Sequence, residues 1–477
     1  MAKRLEADIC VIGGGSGGLS VAAGASQMGA KTVLVEKGKM GGDCLNYGCV
    51  PSKALLAAGH AAQAVRHAPA YGIAAGQPAV DATAVYARVQ GTIATIAPID
   101  SVERFEGLGV TVLRAHARFT GPDEIEAGDV RVHARRFVVA TGSSPFAPPI
   151  PGLAEVPYFT NETIFEAGAL PAHLVIVGGG PIGIEMAQAH RQLGAEVSVL
   201  QKGEILPKDD PELADVVRRR LVAEGVNLRE GVTVTAVEKT PRGVRVDFTG
   251  GDGAAGHVEG SHILVAAGRR ATVGGLNLEA AGIAYTARGV TVDSRLRTTN
   301  KRVFAVGDVT GGYQFTHMAG YHAGIVIRNA LFRLPAKVDT RAVPWVTYTQ
   351  PELAQVGLTE AAARREMAAG DLRILRWTYA ENDRAQAEGV TDGMIKVVAD
   401  KRGRVLGAGI VGAHAGETIQ TWILAIAQKL KVGAVAAMIA PYPTLGEVNK
   451  RAAGSFYTPT LFSPRTRKLV RFLARFG

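Results

Sequence analysis

Short runs of apolar residues recur along the chain, and most of them stop at a glycine. Residues 9–12 run into Gly13, 137–140 into Thr141 and Gly142, and 174–177 into Gly178. Further on, 263–267 run into Gly268 and 303–306 into Gly307 and Asp308. Short apolar runs bounded by turn residues predict buried strands of a parallel sheet. Residues 32–35 form another such run, ending at Glu36, with a stretch of small residues before it that predicts a helix. The pattern changes at about residue 341. Strand-like VPWVTYT, IKVVAD and VLGAGIVG then alternate with helical stretches at 359–369 and 416–430, as in an α+β domain.

The first strand leads into Gly13-x-Gly15-x-x-Gly18, a helix, and a second strand closed by Glu36 and Lys37. Strand, glycine turn, helix and strand make the unit that binds a dinucleotide. Gly13 makes the tight turn, Gly15 lets a pyrophosphate approach the backbone, and Gly18 lets helix and strand pack closely. The helix N-terminus attracts the phosphates, and Glu36 can accept from ribose hydroxyls. Residues 173–203 repeat this pattern, with Gly178, Gly180 and Gly183 for the three glycines and Lys202 for Lys37. One position differs: Glu36 becomes Gln201. A carboxylate there would repel a 2′-phosphate and glutamine would not. Together with Lys202 this tilts the second nucleotide slightly toward NADPH, although glutamine also suits a 2′-hydroxyl. The fold class is therefore α/β: two Rossmann-like dinucleotide-binding domains followed by an α+β domain.

Candidate redox chemistry sits in GGDCLNYGCVPSKALL, residues 41–56, which holds Cys44 and Cys49. Pro51 and the helix-forming run after it place Cys49 at the mouth of a helix. There the dipole and free N–H groups lower a thiol pKa from about 8.5 toward neutrality. Zinc needs about four ligands, and neither another cysteine nor a nearby histidine pair supplies them, so no metal site is expected. Three cysteines in 477 residues exclude a secreted disulfide scaffold and suit a reducing cytoplasm. Lys3 and Arg4 before an apolar run resemble a leader, but the run enters the glycine turn after Ile12. No apolar run reaches the roughly 18–20 residues of a spanning helix. The net charge of +10 favours anionic partners such as dinucleotides, acidic proteins or a membrane surface. No nucleic-acid partner is expected. In residues 465–477, Leu469, Val470, Phe472, Leu473 and Phe476 fall on one helical face, with Arg465, Arg467, Lys468, Arg471 and Arg475 mainly opposite. Such a helix suits an anionic membrane or a partner, and equally a packed terminal helix.

These motifs resemble the class I pyridine nucleotide–disulfide oxidoreductases, a family that includes dihydrolipoamide dehydrogenase, glutathione reductase and mercuric reductase. The resemblance spans about residues 5 to 460 and rests on GGxCxxxxCxPSK, the two glycine fingerprints, the turns at 141–142 and 267–268, and Gly307-Asp308. It implies an FAD-binding domain at 1–145 continued at 266–340, an NAD(P)-binding domain at 146–265, and a homodimerisation domain at 341–460. The basic tail at 461–477 lies beyond it. Cys49 would then be the thiol against the flavin and Cys44 the one that meets substrate. Lys53 and Glu185 would pair beside the flavin. Glu36 and Asp308 would hold FAD hydroxyls, with Gly42, Thr141, Gly142 and Gly268 lining the cofactor sites. Many members carry a His-Pro-Thr segment whose histidine serves the partner's thiols. In PYPTLGEV, at 441–448, Tyr442 stands in that place, and Glu447, which would orient an imidazole there, remains. A tyrosine pKa of about 10 makes a poor proton shuttle near pH 7. His317, His322 and His414 are other acid–base candidates, better explained as core or surface residues. The expected activity is electron transfer between NAD(P)H, FAD and the thiol pair, with a small-molecule or lipoyl-type dithiol or disulfide, a metal ion or a quinone as partner. A redox sensor docked through the tail is the reading from another class.

Overall fold

The computed structural model describes residues 3–476. The backbone divides into two compact units, residues 1–202 with 231–339 and residues 203–230 with 340–477. Both glycine fingerprints therefore fall in the first unit, whereas sequence reasoning drew domain limits at 145, 265 and 340.

The first unit is built on a sheet of β1 (Lys3–Ile12), β2 (Thr32–Val35), β3 (Val110–Leu113), β4 (Ala117–Phe119), β5 (Glu124–Ala127) and β6 (Val130–Val139). Its order is β3-β2-β1-β6-β5-β4. β3, β2, β1 and β6 run parallel, while β5 turns back antiparallel on the first half of β6. Successive residues of β1 feed opposite faces. Cys10 and Ile12 join one buried cluster with Val33, Val35, Phe119 and Phe137. Ile9 and Val11 join another with Leu19, Val21, Ala22 and Val326. Burial on both faces is why the run reads as continuously apolar. Cys10, fully buried in this core, has its thiol pKa pushed up by desolvation. The second fingerprint heads a parallel trio of β7 (His173–Val177), β8 (Glu196–Leu200) and β9 (His262–Val265), with β7 in the middle. β10 (Val303–Ala305) lies parallel to the end of β6, so Gly307 and Asp308 emerge at the same edge as Gly13.

In the second unit β11 (Pro344–Thr347), β12 (Glu352–Gly357), β13 (Leu372–Thr378), β14 (Met394–Asp400) and β15 (Val405–Gly412) form an antiparallel sheet in the order β11-β12-β15-β14-β13. The expected helix at 416–430 is two shorter ones, Ala415–Thr418 and Gln420–Ala427. Trp422 is fully buried there and its indole N–H donates to Asn449 Oδ1 at 2.8 Å. Lys396 is buried in β14 and meets Asp210, Glu212 and Glu360 at 2.9, 2.9 and 2.7 Å. A buried ammonium is tolerated only when paired. This cluster holds Asp210 and the helix it caps, Pro211–Ala223, in the same unit as the sheet.

Candidate active site

The two glycines before Cys44 have a packing reason. Gly15, on the first fingerprint turn, forms a backbone bridge with Gly41, and Gly41 N–H donates to Gly14 O at 2.9 Å. A Cβ on Gly42 would stand 2.6 Å from Gly15 Cα, and Gly42 has φ +59°. Only glycine allows this approach, and it puts the cysteine segment directly on the dinucleotide turn. Cys44 then lies on the short helix α2 (Gly42–Asn46) and Cys49 is the first residue of α3 (Cys49–His67). Gly48 precedes α3 without a capping side chain.

Both thiols are free, and they share a proton unequally. The Cys49 pKa is lowered to about 6, chiefly by the hydrogen bond from Cys44, with Thr316 and the Lys53 charge helping. Cys49 is accessible at the helix start, yet enough protein surrounds its sulfur for desolvation to work against the thiolate, as does the Asp43 charge. The Cys44 pKa is raised well above the thiol range by the bond to Cys49 and by burial. So Cys49 is the thiolate and Cys44 the thiol that donates to it. The helix start proposed from sequence is real, but the neighbouring thiol is the larger cause. Thr316 Oγ1, at the start of α5 (Thr316–Ala330), lies 3.3 Å from Cys49 Sγ.

One turn into α3, Lys53 Nζ lies 2.8 Å from Glu185 Oε2. Glu185 is buried on α4 (Pro181–Leu193), the helix of the second fingerprint. α3 can lie this close to α4 because Gly59 faces Ala189 and Gln192, where a Cβ would come within 3.3 Å of the Ala189 carbonyl oxygen. The ion pair ties the thiol helix to the second dinucleotide turn.

A second network flanks Cys44. Asp43 Oδ1 meets Arg269 Nη2 at 3.0 Å and accepts from Asn161 Nδ2 at 3.1 Å. Arg269 Nε donates to Ser143 Oγ at 2.7 Å, and Ser143 Oγ–H donates to Asp308 Oδ2 at 2.6 Å. Burial raises the Asp308 pKa against these bonds. Residues Ser143–Pro145 and Arg269–Ala271 pair as a small ladder beside Gly142 and Gly268, and Thr141 Oγ1–H donates to Thr272 O at 2.6 Å. Sequence reasoning singled out Asp308, Gly142 and Gly268 but missed Asp43, Ser143 and Arg269, each adjacent in the chain to a residue it chose. Thr316 and Ser16, which hydrogen-bonds Cys44, carry no spacing signal of their own.

The residues present fit two dinucleotides. α1 (Ser16–Gln27) and α4 both begin at a glycine with no side-chain cap and no acid in the first turn, leaving N–H groups for phosphate. Gly13 and Gly178, at φ +111° and +116°, each leave no room for a Cβ against a carbonyl oxygen. Gly14 N–H donates to Glu36 Oε2 and Gly179 N–H to Gln201 Oε1, so the two acid-or-amide positions occupy equivalent places. Lys37 and Lys202 are exposed beside them.

In the second unit Tyr442 is exposed, and its hydroxyl donates to Asp383 Oδ2 at 2.7 Å, which raises its pKa. Glu447 instead pairs with Arg451 one turn along α6 (Glu447–Ser455) at 2.9 Å. Within this chain the acid bonded to Tyr442 is Asp383. His322 is buried and accepts from Gly307 N–H, and His317 stacks on Phe315. His414 sits at φ +55° just before Ala415–Thr418. Besides each other, the thiols are bonded by Ser16 and Thr316.

The pyridine nucleotide-disulphide oxidoreductase family matches residues 7–323, and its dimerisation domain matches residues 343–453. The mercuric reductase of Bacillus cereus is 35% identical over 454 residues, covering 94% of this chain and 71% of that protein. The dihydrolipoyl dehydrogenase of Bacillus subtilis (strain 168) is 34% identical over 471 residues, covering 94% and 96%. A solved structure of the Cu(II) complex of the HOCl-induced flavoprotein disulfide reductase RclA from Escherichia coli aligns with a TM-score of 0.83 at 26% identity, over 93% of this chain and 98% of that one. Matches of this extent leave little of the sequence outside them: the chain belongs to the pyridine nucleotide-disulphide oxidoreductase family, whose members are flavoproteins that use FAD, NAD(P)H and a redox-active disulfide and pair through the dimerisation domain.

Proposed function

We propose that this protein moves electron pairs between NAD(P)H and a small dithiol or disulfide through Cys44 and Cys49, as dihydrolipoamide dehydrogenase does. The observation that carries this reading is the placement of Cys44 and Cys49 directly on the first dinucleotide turn, through the Gly15–Gly42 approach, with the Lys53–Glu185 pair one turn along the Cys49 helix. Bound FAD would supply the two-electron relay between nicotinamide and thiols. Glu36 and Asp308 would hold its hydroxyls, and the start of α1 its pyrophosphate. Lys53, anchored by Glu185, keeps a positive charge near the Cys49 thiolate.

With a disulfide substrate, Cys44 Sγ attacks one sulfur while its proton passes to Cys49 Sγ. The substrate S–S bond breaks, a mixed disulfide forms on Cys44, and the first thiolate leaves to take a proton from water. Cys49 Sγ then attacks Cys44 Sγ, releasing the second substrate thiol with the proton that Cys49 held. The pair is oxidised to its disulfide and the substrate is reduced to two thiols. With a dithiol substrate the steps run backward, and a base must first take a proton. Tyr442 serves that role poorly at neutral pH. We assign the protein to the cytoplasm, as a homodimer that favours NADPH slightly through Gln201 and Lys202.

The test is oxidation of dihydrolipoamide by the native protein and by Tyr442→His. Native turnover should be slow at pH 7 and rise toward alkaline pH. The histidine variant should gain at least about tenfold at neutral pH, within the range for a positioned base, with flavin reduction by NAD(P)H unchanged. Native turnover at hundreds per second at pH 7 overturns the proposal. A second reading takes a thiophilic metal ion as acceptor. It is favoured by Tyr442 in the histidine position and by relatives named mercuric reductase. NAD(P)H oxidation driven by mercuric ion but not by lipoamide would select it.

A further inference from the structure

One exposed apolar stretch of the second unit lies where the family's dimerisation domain does not reach, since that match ends at residue 453. α7 (Pro464–Leu473) starts cleanly, with Ser463 accepting from Thr466 N–H and Pro464 in the first turn. Thr466 Oγ1–H also donates to Thr460 O at 2.7 Å, which fixes α7 to the turn before it. A helix begun this way in a packed domain would bury one face. This one buries none: Leu469, Val470, Phe472 and Leu473 are each more than half exposed, and Phe476 is 74% exposed. Leu461 and Phe462 add to the same exposed stretch.

At about 100° per residue, Leu469, Val470, Phe472, Leu473 and Phe476 cover one side of the helix, and Arg467, Lys468, Arg471 and Arg475 fall within an arc of about 100° on the other. Arg465, in the first turn, falls on the apolar side between the directions of Phe472 and Phe476. No Asp or Glu follows Glu447 in the sequence, so nothing on this segment offsets the five cations. We propose that residues 461–476 are a docking surface for the anionic face of a lipid bilayer, with the helix lying in the plane of the interface. The apolar side would enter the acyl boundary while the cations meet phosphate headgroups. Long arginine and lysine stems suit this arrangement because they span the boundary with the charge in water. A second copy of the chain fits the same face worse. Its α7 would bring five more cations against these five in a contact of low dielectric, where like charges repel strongly. An acidic protein would match the cations but would leave the opposite, apolar side of the helix uncovered.

The inference goes beyond the redox reaction, and its test is independent of it. The full-length FAD-loaded protein would be sedimented with vesicles of pure phosphatidylcholine and with vesicles carrying about one-third phosphatidylglycerol. The bound fraction on the anionic vesicles should be at least about tenfold higher and should fall as salt is raised. Lys468→Glu with Arg471→Glu and Arg475→Glu should abolish binding. Leu469→Ser with Phe472→Ser and Leu473→Ser keeps every charge and should weaken binding by at least about fivefold. Flavin absorbance and the rate of flavin reduction by NAD(P)H report that each variant is folded and should not change. Equal sedimentation with both vesicle types, no sedimentation with either, or binding insensitive to the charge reversal overturns the proposal. So does a fall in solution mass of the serine variant, which would mean that a second copy covers the face.

Discussion

At the scale of single residues, Cys49 shows what a sequence can and cannot say about a thiol. Its place at a helix mouth was legible from Pro51 and the helix-forming run behind it. Its strongest influences were not: the proton that Cys44 lends it is a matter of side-chain direction, and Thr316 comes from 267 positions away. A depressed pKa means that the thiolate is present above about pH 6 and lost below it. Two-electron reduction of the FAD-loaded protein should therefore give a broad long-wavelength thiolate-to-flavin band that grows as pH rises through about 6. Thr316→Val should move that midpoint upward, and Cys49→Ser should remove the band. An absorbance titration of the reduced protein checks both, and a midpoint that ignores Thr316 refutes the assignment. Gln201 is the matching case in the other turn. Gln201→Glu places a carboxylate where Glu36 stands in the first turn and should shift the kcat/KM ratio toward NADH by about 1–2 kcal/mol, roughly five- to thirtyfold. Steady-state kinetics with both nucleotides reads this directly.

Among elements, the strands were the most legible part, because burial on two faces leaves an uninterrupted apolar run that ends at a turn. The duplicated turns were legible for the same reason, since each glycine spacing answers to a fixed backbone geometry. What stayed hidden are contacts in which a polar side chain leaves its expected face. Lys396 looks like the polar member of a strand, yet it is buried among three carboxylates. Asp209, one residue before that cluster, is buried too and accepts from Trp345 Nε1 at 2.8 Å. Desolvation raises its pKa to about 7. The folded protein then holds this proton more tightly than the unfolded chain, so the contribution to stability is complete below about pH 4. It is lost as pH rises through about 7. Asp209→Asn keeps an acceptor for Trp345 without the charge. Its melting temperature should match the native protein near pH 4 and exceed it at pH 8, by an amount corresponding to a few kcal/mol at most. Parallel melting curves across that range, with no growing gap, would show that Asp209 ionises without penalty.

For the whole molecule, the family assigns pairing to the second unit, and its surface agrees with that. Ile439 is 97% exposed only three residues from Tyr442, itself 68% exposed. A large aliphatic side chain left in water next to the segment expected to serve a partner's thiols marks a contact that forms between subunits. Ile439→Asp should lower the solution mass from about twice 49.8 kDa toward the single chain at micromolar concentration. It should also reduce dithiol turnover with little effect on flavin reduction; light scattering and stopped-flow absorbance separate the two. The pairing partner was invisible to sequence periodicity, which reports on faces buried within one chain. The Gly15–Gly42 contact, finally, separates two halves that look alike. In the first, the cysteine segment closes over the glycine turn, whereas around Gly180 a Cβ would meet nothing within 4 Å. A nucleotide on the first turn would be walled in, and one on the second would be left at an open door. Their residence times should differ accordingly: the flavin stays through many turnovers and survives dialysis, and the nicotinamide nucleotide comes and goes once in each.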